Sequence, residues 1–394
     1  MREFIASTVR DLAQSDIRAM TRECSRVGGI NLGQGVCELP VEPTILDAAS
    51  AAIYGNCNSY TLAEGIPKLR ESISAKLRHH NGIDADPGTE IVVTAGTTAA
   101  YTSALTALLN RGDGILFFEP FYGYHVGVAS ILGFVPQFVE LMPPDFEITK
   151  AELLRAVDAS TRAIVVCTPS NPSGRMLSLH ELEAIAAVAQ ERDLLIVTDE
   201  IYEFIRYEGR QHISPASVFE LWPRTVSIMG MAKTYSVTGW RLGYAVAPAE
   251  LVRPLSLTHD LCYICAPAPL QYAAITALEL PDRYYQQLAA TYQERRDRLC
   301  SALSASGLEP LVPEGSYFVM ADIAALGFES AREAAMTLLE SAGVASVPGT
   351  AFFRGDVGNR FLRFCFAVED NLLSEACERL RHILWWRGAR FELN

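Results

Sequence analysis

Residues 230 to 244, GMAKTYSVTGWRLGY, place two cationic side chains in a neighbourhood that is otherwise small, aromatic or apolar. Lys233 carries an amine, which can form a Schiff base with an aldehyde, and Arg241 carries a guanidinium, which can neutralise an anion. Two surface charges on a loop are the ordinary explanation of such a pair. Whether this pair is part of a reactive site or is two solvated surface charges depends on the residues that the fold brings beside it.

Other polar residues follow short apolar runs that are typical of β-strands. Gly96, Thr97 and Thr98 stand between such a run and a helical segment, where free backbone N–H groups and the helix dipole favour a phosphate. Asn171 follows the run RAIVVC and lies between prolines, in a segment typical of a turn. Taken alone, Gly96, Thr97 and Thr98 are explained equally well as an ordinary helix cap, and Asn171 as an ordinary turn residue.

Asp199 ends the apolar run LLIVTDE, and Tyr202 follows three residues later. A carboxylate at the mouth of a buried strand needs a cation or several donors, unless it caps the next helix. Together with Tyr122 and Lys233, these groups match the needs of pyridoxal 5′-phosphate (PLP). PLP requires an amine for its aldehyde, an anion for its pyridine nitrogen, donors for its phenolic oxygen, an aromatic lid and a phosphate cup. We therefore predict PLP as the cofactor.

The elements that must position these residues are strands alternating with helices. The apolar runs predict strands at 90–96, 114–120, 162–170, 194–200, 225–230 and 241–248. Because these runs are apolar throughout and not alternating, both faces of the sheet are covered. The sequence predicts an α/β fold with a mainly parallel, seven-stranded sheet and helices on both faces, with the ligand beyond the carboxyl ends of the strands.

The pattern changes after Pro281, where one long helix and a mixed α/β tail follow. We predict a large PLP-binding domain over residues 46–282 and a smaller α/β domain over residues 283–394. The N-terminal segment, residues 1–45, is predicted to belong to the small domain. The tail ILWWRGARFELN, residues 383–394, is expected to pack its two tryptophans on the small domain, and no function is assigned to it.

Composition narrows the class of protein. The chain has 394 residues, of which 49% are hydrophobic and 20% charged, enough apolar material for a large core. The net charge of −13 argues against nucleic acid or an anionic membrane as a partner. No apolar run is long enough to span a membrane and no signal peptide is recognisable, so we predict a soluble, cytoplasmic enzyme.

Nine cysteines, an odd number, predict reduced thiols and no disulfide framework. Cys262 and Cys265 in LCYIC have the spacing of a redox motif but lack its strand-to-helix context, and they receive no role. No metal motif is recognisable, so no metal site is predicted. The stretch LGQGVCE lacks the third glycine of a dinucleotide-binding motif.

The motifs occur in the order of a known family. They are INLGQGVCELP, YTLAEGIPKLRESI, VVTAGTTAA, EPFYGYH, CTPSNPSG, VTDEIY, GMAKTYSVTGWRLGY and RFLRFCFA. Nearly end to end, the chain resembles the class I, fold type I PLP-dependent aminotransferases, close to the aspartate, aromatic and kynurenine/glutamine transaminases. The resemblance implies transfer of an amino group from an L-amino acid to a 2-oxo acid by a ping-pong mechanism, in a homodimer with shared active sites.

The resemblance also implies a role for each cofactor contact. Lys233 is the catalytic residue, which forms the Schiff base and moves a proton between substrate and cofactor. Arg241 binds the phosphate and Asp199 the pyridine nitrogen, while Tyr202 and Asn171 hold the phenolic oxygen. The other implied cofactor contacts are Tyr122 stacked on the ring, Gly96, Thr97 and Thr98 around the phosphate, and Tyr60 reaching the phosphate across the dimer interface.

Arg363, in RFLRFCFA, is implied to bind the substrate α-carboxylate as a bidentate fork, with Asn171 assisting and Gly35 close to the substrate. An ordinary salt bridge at a strand end is the alternative explanation of Arg363. Its neighbour Arg360 is the rival for the same role, although Arg363 matches the family motif.

The chain departs from the family pattern in three places. Ala232 and Gly230 stand where many relatives carry serine, so one phosphate hydroxyl is missing. Glu38 and Leu39 replace the Asp and Phe of a common PDFP motif, which puts the apolar gate of the substrate pocket in doubt. LTHDLCYICAPAP shows no second arginine for a dicarboxylate, which favours an aromatic or other uncharged substrate.

Two alternatives to transamination stay open. A C–S β-lyase of the same fold would use the same lysine to remove the same α-proton, and the motifs do not separate the two activities. A PLP-binding regulatory protein would need a DNA-binding domain ahead of INLGQG, where about thirty residues without a basic recognition helix stand.

Overall fold

The computed structural model describes residue 4, residues 6–10 and residues 15–382, so the tail at 383–394 lies outside the described residues. Within that part of the chain the strands are β1 Ile30–Asn31, β2 Ile91–Thr94, β3 Gly114–Glu119, β4 Val135–Glu140, β5 Thr161–Cys167, β6 Leu195–Asp199, β7 Thr225–Gly230, β8 Gly243–Val246, β9 Glu309–Leu311, β10 Phe318–Asp322, β11 Val344–Ala345, β12 Val347–Pro348 and β13 Phe361–Cys365. The α-helices there are α1 Ser7–Arg10, α2 Asp16–Val27, α3 Pro43–Tyr54, α4 Pro67–Lys76, α5 Thr97–Leu108, α6 Gly123–Leu132, α7 Lys150–Ala156, α8 Leu179–Glu191, α9 Ala249–Tyr263, α10 Ala268–Leu278, α11 Asp282–Ala305, α12 Ala331–Ala342 and α13 Asp370–Arg381. A π-helix, Leu77–Asn81, continues α4.

The central sheet has seven strands in the order β2-β8-β7-β6-β5-β3-β4. All pairings are parallel except those of β8, which runs antiparallel to both β2 and β7. The predicted fold class is therefore confirmed. The edge strand β4 is not among the predicted runs, because Pro136 and Gln137 break its apolar pattern, and a sheet edge tolerates both.

Helices cover both faces of this sheet, as strands that are apolar throughout require. Along β5, Ala163 and Val165 belong to a core cluster that includes residues of α5 and α9. Their neighbours Ile164 and Val166 belong to a second cluster, which includes residues of α8. Successive side chains of a strand point to opposite faces, so one strand anchors two cores.

A second, four-stranded antiparallel sheet has the order β12-β13-β10-β9. The long helix predicted after Pro281 is present as α11, 24 residues in length, and it packs against α13. Strand β1 pairs in parallel with β11, with Ile30 opposite Val344, so the N-terminal segment is attached to the C-terminal part of the chain. The domain boundaries at residues 45 and 282 stay a prediction. No helix in the described ranges has the length and apolar character that crossing a membrane demands.

Candidate active site

The polar residues predicted at strand ends converge on one cavity of about 460 Å³. Strand β2 runs parallel to β7, because each is antiparallel to β8, so the carboxyl ends of β2, β5, β6 and β7 share one edge of the sheet. The predicted residues that line the cavity are Gly35, Thr97, Thr98, Tyr122, Asn171, Asp199, Tyr202, Lys233, Arg241 and Arg363. Ligands of doubly wound sheets bind at this edge.

Lys233 follows β7 in a tight turn and is half-buried. Its Nζ donates to the backbone oxygen of Gly35 at 3.3 Å and lies 5.6 Å from the centre of the Tyr317 ring. Among the described residues no carboxylate forms an ion pair with this amine. An amine held by a carbonyl and an aromatic face, at the wall of a cavity, is placed to act as a nucleophile.

Asp199, at the end of β6, is held by a histidine. Nε2 of His125 lies 2.9 Å from Oδ2 of Asp199, and the backbone N–H of Ile201 donates to Oδ1 at 3.2 Å. The hydroxyl of Tyr101 donates to the backbone oxygen of His125. The carboxylate therefore has the partner that its buried position demands. Sequence analysis missed His125, although it ends the motif EPFYGYH.

The N-terminus of α5 forms a cup with Arg241 above it. Gly96 is the N-cap with φ 83° and offers no side chain to cap the first turn, and Thr97 and Thr98 begin the helix. A Cβ on Gly96 would lie 2.5 Å from Nη2 of Arg241, so only glycine allows the guanidinium this close. Arg241 also donates from Nη1 to the oxygen of Thr238 at 3.1 Å. Open N–H groups beside a fixed cation are suited to a phosphate.

Arg363, in β13, is a deeply buried arginine, with 1% of its surface exposed. Its Nη1 donates to Oδ1 of Asn171 at 2.9 Å and its Nη2 to the oxygen of Gly33 at 2.6 Å. The rings of Phe318 and Phe352 lie 4.1 and 4.7 Å from its Cζ. Burial lowers the pKa of this guanidinium, because a charge is poorly solvated there.

Within the described residues, Nε of Arg363 has no hydrogen-bond partner, although it is buried. A buried cation with an open donor at a cavity wall is suited to an anionic ligand. The rival Arg360 lies elsewhere: it pairs with Asp322 at 2.5 Å and is half-exposed.

Two phenols in the cavity stay neutral. Burial raises the pKa of Tyr122 and that of Tyr202, so both hydroxyls remain protonated at physiological pH and can donate. The Tyr122 ring stacks on Tyr124, with centroids 5.3 Å apart, and meets His125 edge-on. Tyr202 meets Tyr317 edge-on at 5.1 Å.

Tyr60 is a predicted site residue that the fold does not bring to the cavity of its own chain. Its side chain is 79% exposed, and it does not line the cavity. Gly96 is also not part of the lining, because Arg241 lies over it.

Residues that sequence analysis did not single out also line the cavity. They include Arg18, Thr21 and Arg22 of helix α2, together with Tyr124, His125 and Phe318. Arg18 donates from Nε to the hydroxyl of Tyr124 at 3.3 Å. No local signal marked Arg18 and Arg22, since their place at the cavity depends on how α2 packs against β1, β11 and β12.

The residues present fit PLP. A nucleophilic amine, a carboxylate held by histidine, neutral phenols and an uncapped helix N-terminus with a cation surround one volume, and this set defines the site of a fold type I PLP enzyme. The family model for class I and II aminotransferases matches residues 27–380. The chain belongs to this family, and the protein is a PLP-dependent aminotransferase.

Individual relatives cover nearly the whole chain. A probable N-succinyldiaminopimelate aminotransferase of Mycobacterium tuberculosis is 35% identical, over 95% of this chain and 97% of that protein. Kynurenine–oxoglutarate transaminase 1 of Homo sapiens is 30% identical, over 89% of this chain and 92% of that protein.

Solved structures agree. The N-succinyldiaminopimelate aminotransferase of M. tuberculosis superposes with a TM-score of 0.93 at 36% identity, covering 96% of this chain and all of that one (100%). A methionine aminotransferase of Escherichia coli gives 0.92 at 29% identity, with 97% and 100% coverage. These relatives share the reaction class and differ in their named substrates.

Proposed function

We propose that this aminotransferase moves the amino group of an L-amino acid with an aromatic or other uncharged side chain to a 2-oxo acid, by a ping-pong mechanism. The observation that carries the proposal is that Nζ of Lys233 and the buried guanidinium of Arg363 line one cavity. One group moves the proton at the substrate Cα, and the other holds the α-carboxylate in a fixed orientation.

The other residues hold the cofactor, which when bound supplies an electron sink for the charge left at Cα. The Nζ amine of Lys233 would hold its aldehyde group, with loss of water. Asp199, oriented by His125, keeps the pyridine nitrogen protonated, and Arg241 holds the phosphate against the N–H groups of α5. The Tyr202 hydroxyl and the Asn171 amide donate to the phenolic oxygen.

We propose a homodimer in which Tyr60 completes the partner's phosphate site. Its exposure supports this proposal, as does the exposure of other apolar side chains, among them Tyr54, Leu261 and Ile264. Sedimentation of the purified protein is expected to give twice the monomer mass. Tyr60→Ala is expected to weaken PLP binding without changing that mass. A monomer with full activity would contradict this part of the proposal. A cytoplasmic location stays part of the proposal.

Arg18 and Arg22 favour a second candidate substrate class. They lie four residues apart on α2, one turn from each other, and both line the cavity. Two guanidinium groups there favour a substrate with a second carboxylate, which the segment LTHDLCYICAPAP alone did not indicate. Kinetics with phenylalanine and with glutamate separate the two substrate classes. If the substrate carries a second carboxylate, Arg18→Gln should raise KM for glutamate; if its side chain is uncharged, KM for glutamate should not change.

The first experiment follows the absorption spectrum of the holoenzyme after adding single amino acids. The band of the bound cofactor is expected to disappear as pyridoxamine phosphate forms, and to be absent in Lys233→Ala. A band that persists while pyruvate and ammonia accumulate from a cysteine conjugate would instead indicate the C–S β-lyase. A band that no amino acid alters, together with DNA binding, would indicate a regulatory protein.

A further inference from the structure

Two histidines and an aspartate form a cluster outside the active-site cavity. Nε2 of His79 lies 3.3 Å from each carboxylate oxygen of Asp282, and Nε2 of His80 lies 3.7 Å from Oδ1. One potential ligand atom from each residue falls within 4.8 Å of the other two. Neither the family resemblance nor the proposed transamination gives these three residues a task.

The spacing of these atoms is close to that of a coordination shell. Two ligands bound about 2.1 Å from an ion at tetrahedral angles lie about 3.4 Å apart. The His79 and His80 contacts to Asp282 lie on either side of this value. All three ligand atoms also lie within 4.8 Å of one another, so rotations of the exposed His79 and Asp282 side chains would let an ion reach all three.

The backbone explains how consecutive residues reach one carboxylate. Neighbours in an α-helix point about 100° apart and do not converge. His79 and His80 lie instead in the π-helix Leu77–Asn81, whose wider turn brings their rings to a centroid distance of 4.4 Å. π-Helical turns are rare in proteins, and those that occur are often found at functional sites.

The cluster is anchored on its inner side and open on its outer side. The His80 ring packs edge-on against Phe204 at 5.0 Å and Tyr285 at 5.1 Å, and its side chain is 19% exposed. The next residue, Asn81, is buried and donates to Glu203 and Ser214 at 2.8 Å. The side chains of His79 and Asp282 are 63% and 60% exposed, so an ion can enter.

We infer that His79, His80 and Asp282 bind a divalent transition-metal ion of the Zn²⁺ or Ni²⁺ type. Imidazole nitrogen favours these ions over Mg²⁺ and Ca²⁺, and one carboxylate completes a three-ligand set with an open fourth position for water. This proposal departs from the expectation, drawn from the sequence motifs, that the chain holds no metal. It also links the π-helix to the first turn of α11, at the predicted boundary between the two domains. A bound ion therefore stabilises that junction.

The test uses untagged holoenzyme stripped with EDTA and titrated with Zn²⁺ and with Co²⁺. Calorimetry is expected to show one Zn²⁺ per chain, and Co²⁺ is expected to give a visible absorption band. His79→Asn and Asp282→Asn, at exposed positions, should each weaken Zn²⁺ binding by at least about tenfold. Loss of a residue that only hydrogen-bonds to a metal ligand already weakens metal affinity by about this factor. His180→Asn is the matched control: it removes an exposed histidine that faces a single carboxylate, Glu183.

Accessible thiols such as the exposed Cys262 can also bind these ions, so the inference is tested by the effect of the substitutions and not by Zn²⁺ binding alone. Binding that is unchanged in His79→Asn and Asp282→Asn overturns the inference, as does binding at millimolar concentration only. Thermal unfolding gives a second readout: Zn²⁺ should raise the midpoint of the parent protein and of His180→Asn, and leave that of Asp282→Asn unchanged. Crystals soaked in Zn²⁺ should show an anomalous peak between the three side chains.

Discussion

Nη1 of Arg363 donates to Oδ1 of Asn171 across 2.9 Å, although 192 positions separate the two residues in the chain. Arg363 belongs to β13 of the smaller sheet, and Asn171 follows β5 of the central sheet. The bond therefore ties the two sheets together at the cavity and fixes the guanidinium for an incoming carboxylate. The proposed specificity for α-amino acids depends on it.

Replacing this arginine tests the proposed carboxylate site. Arg363→Gln removes the charged donors, and a charge-assisted hydrogen bond contributes about 1.5–3 kcal/mol, so kcat/KM should fall at least about tenfold to a hundredfold. The absorption of bound PLP should not change. Arg360→Gln, which alters an exposed arginine three positions earlier, should leave kcat/KM within about twofold. An equal effect of both substitutions would refute the assignment.

Removing the histidine beside Asp199 tests its positioning role. His125→Phe leaves the carboxylate without this partner, which costs about 1–3 kcal/mol at a buried polar group. We expect kcat to fall by about tenfold or more, with a changed pH profile of the cofactor absorption band, while KM changes little. His125→Asn, which keeps a donor, should recover part of the loss. If the pH profile is unchanged in His125→Phe, the histidine is merely structural.

The phosphate cup is tested at its glycine. Gly96→Ala places a Cβ 2.5 Å from Nη2 of Arg241, so the guanidinium must move and PLP affinity should fall about tenfold or more. PLP titration of the apoenzyme measures the change. Gly112→Ala is the control, because Gly112 also has a positive φ, 90°, but open space around its Cβ position. Both variants lose stability, and only the first should lose cofactor.

The buried thiol of Cys300 should make the free energy of unfolding depend on pH in the alkaline range. Burial raises the pKa of Cys300 from 9.0 to about 12. The folded state then holds the thiol proton more tightly than the unfolded state. The protonated thiol's contribution to the free energy of unfolding is therefore complete below pH 9 and is lost as the pH rises towards 12. In urea unfolding under reducing conditions, the parent protein should lose stability more steeply than Cys300→Ala between these values. Parallel curves would contradict this assignment of the proton.

Sequence patterns determined what depends on neighbours along the chain. Apolar runs located six of the seven strands of the central sheet, and one long helical pattern located α11. The polar residues at the strand ends, together with Lys233, indicated the cofactor, because an amine, a phosphate cup and a carboxylate brought together serve few other ligands. These signals are local, since periodicity and turn chemistry act over a few residues.

Tertiary structure decided which distant groups meet. It paired His125 with Asp199, placed Arg18 and Arg22 of α2 at the cavity, and left Tyr60 exposed on its own chain. It also joined His79 and His80 to Asp282, more than two hundred positions away. Such contacts depend on how helices and sheets pack, and packing is set by the shapes of whole buried surfaces, which no short stretch of sequence contains.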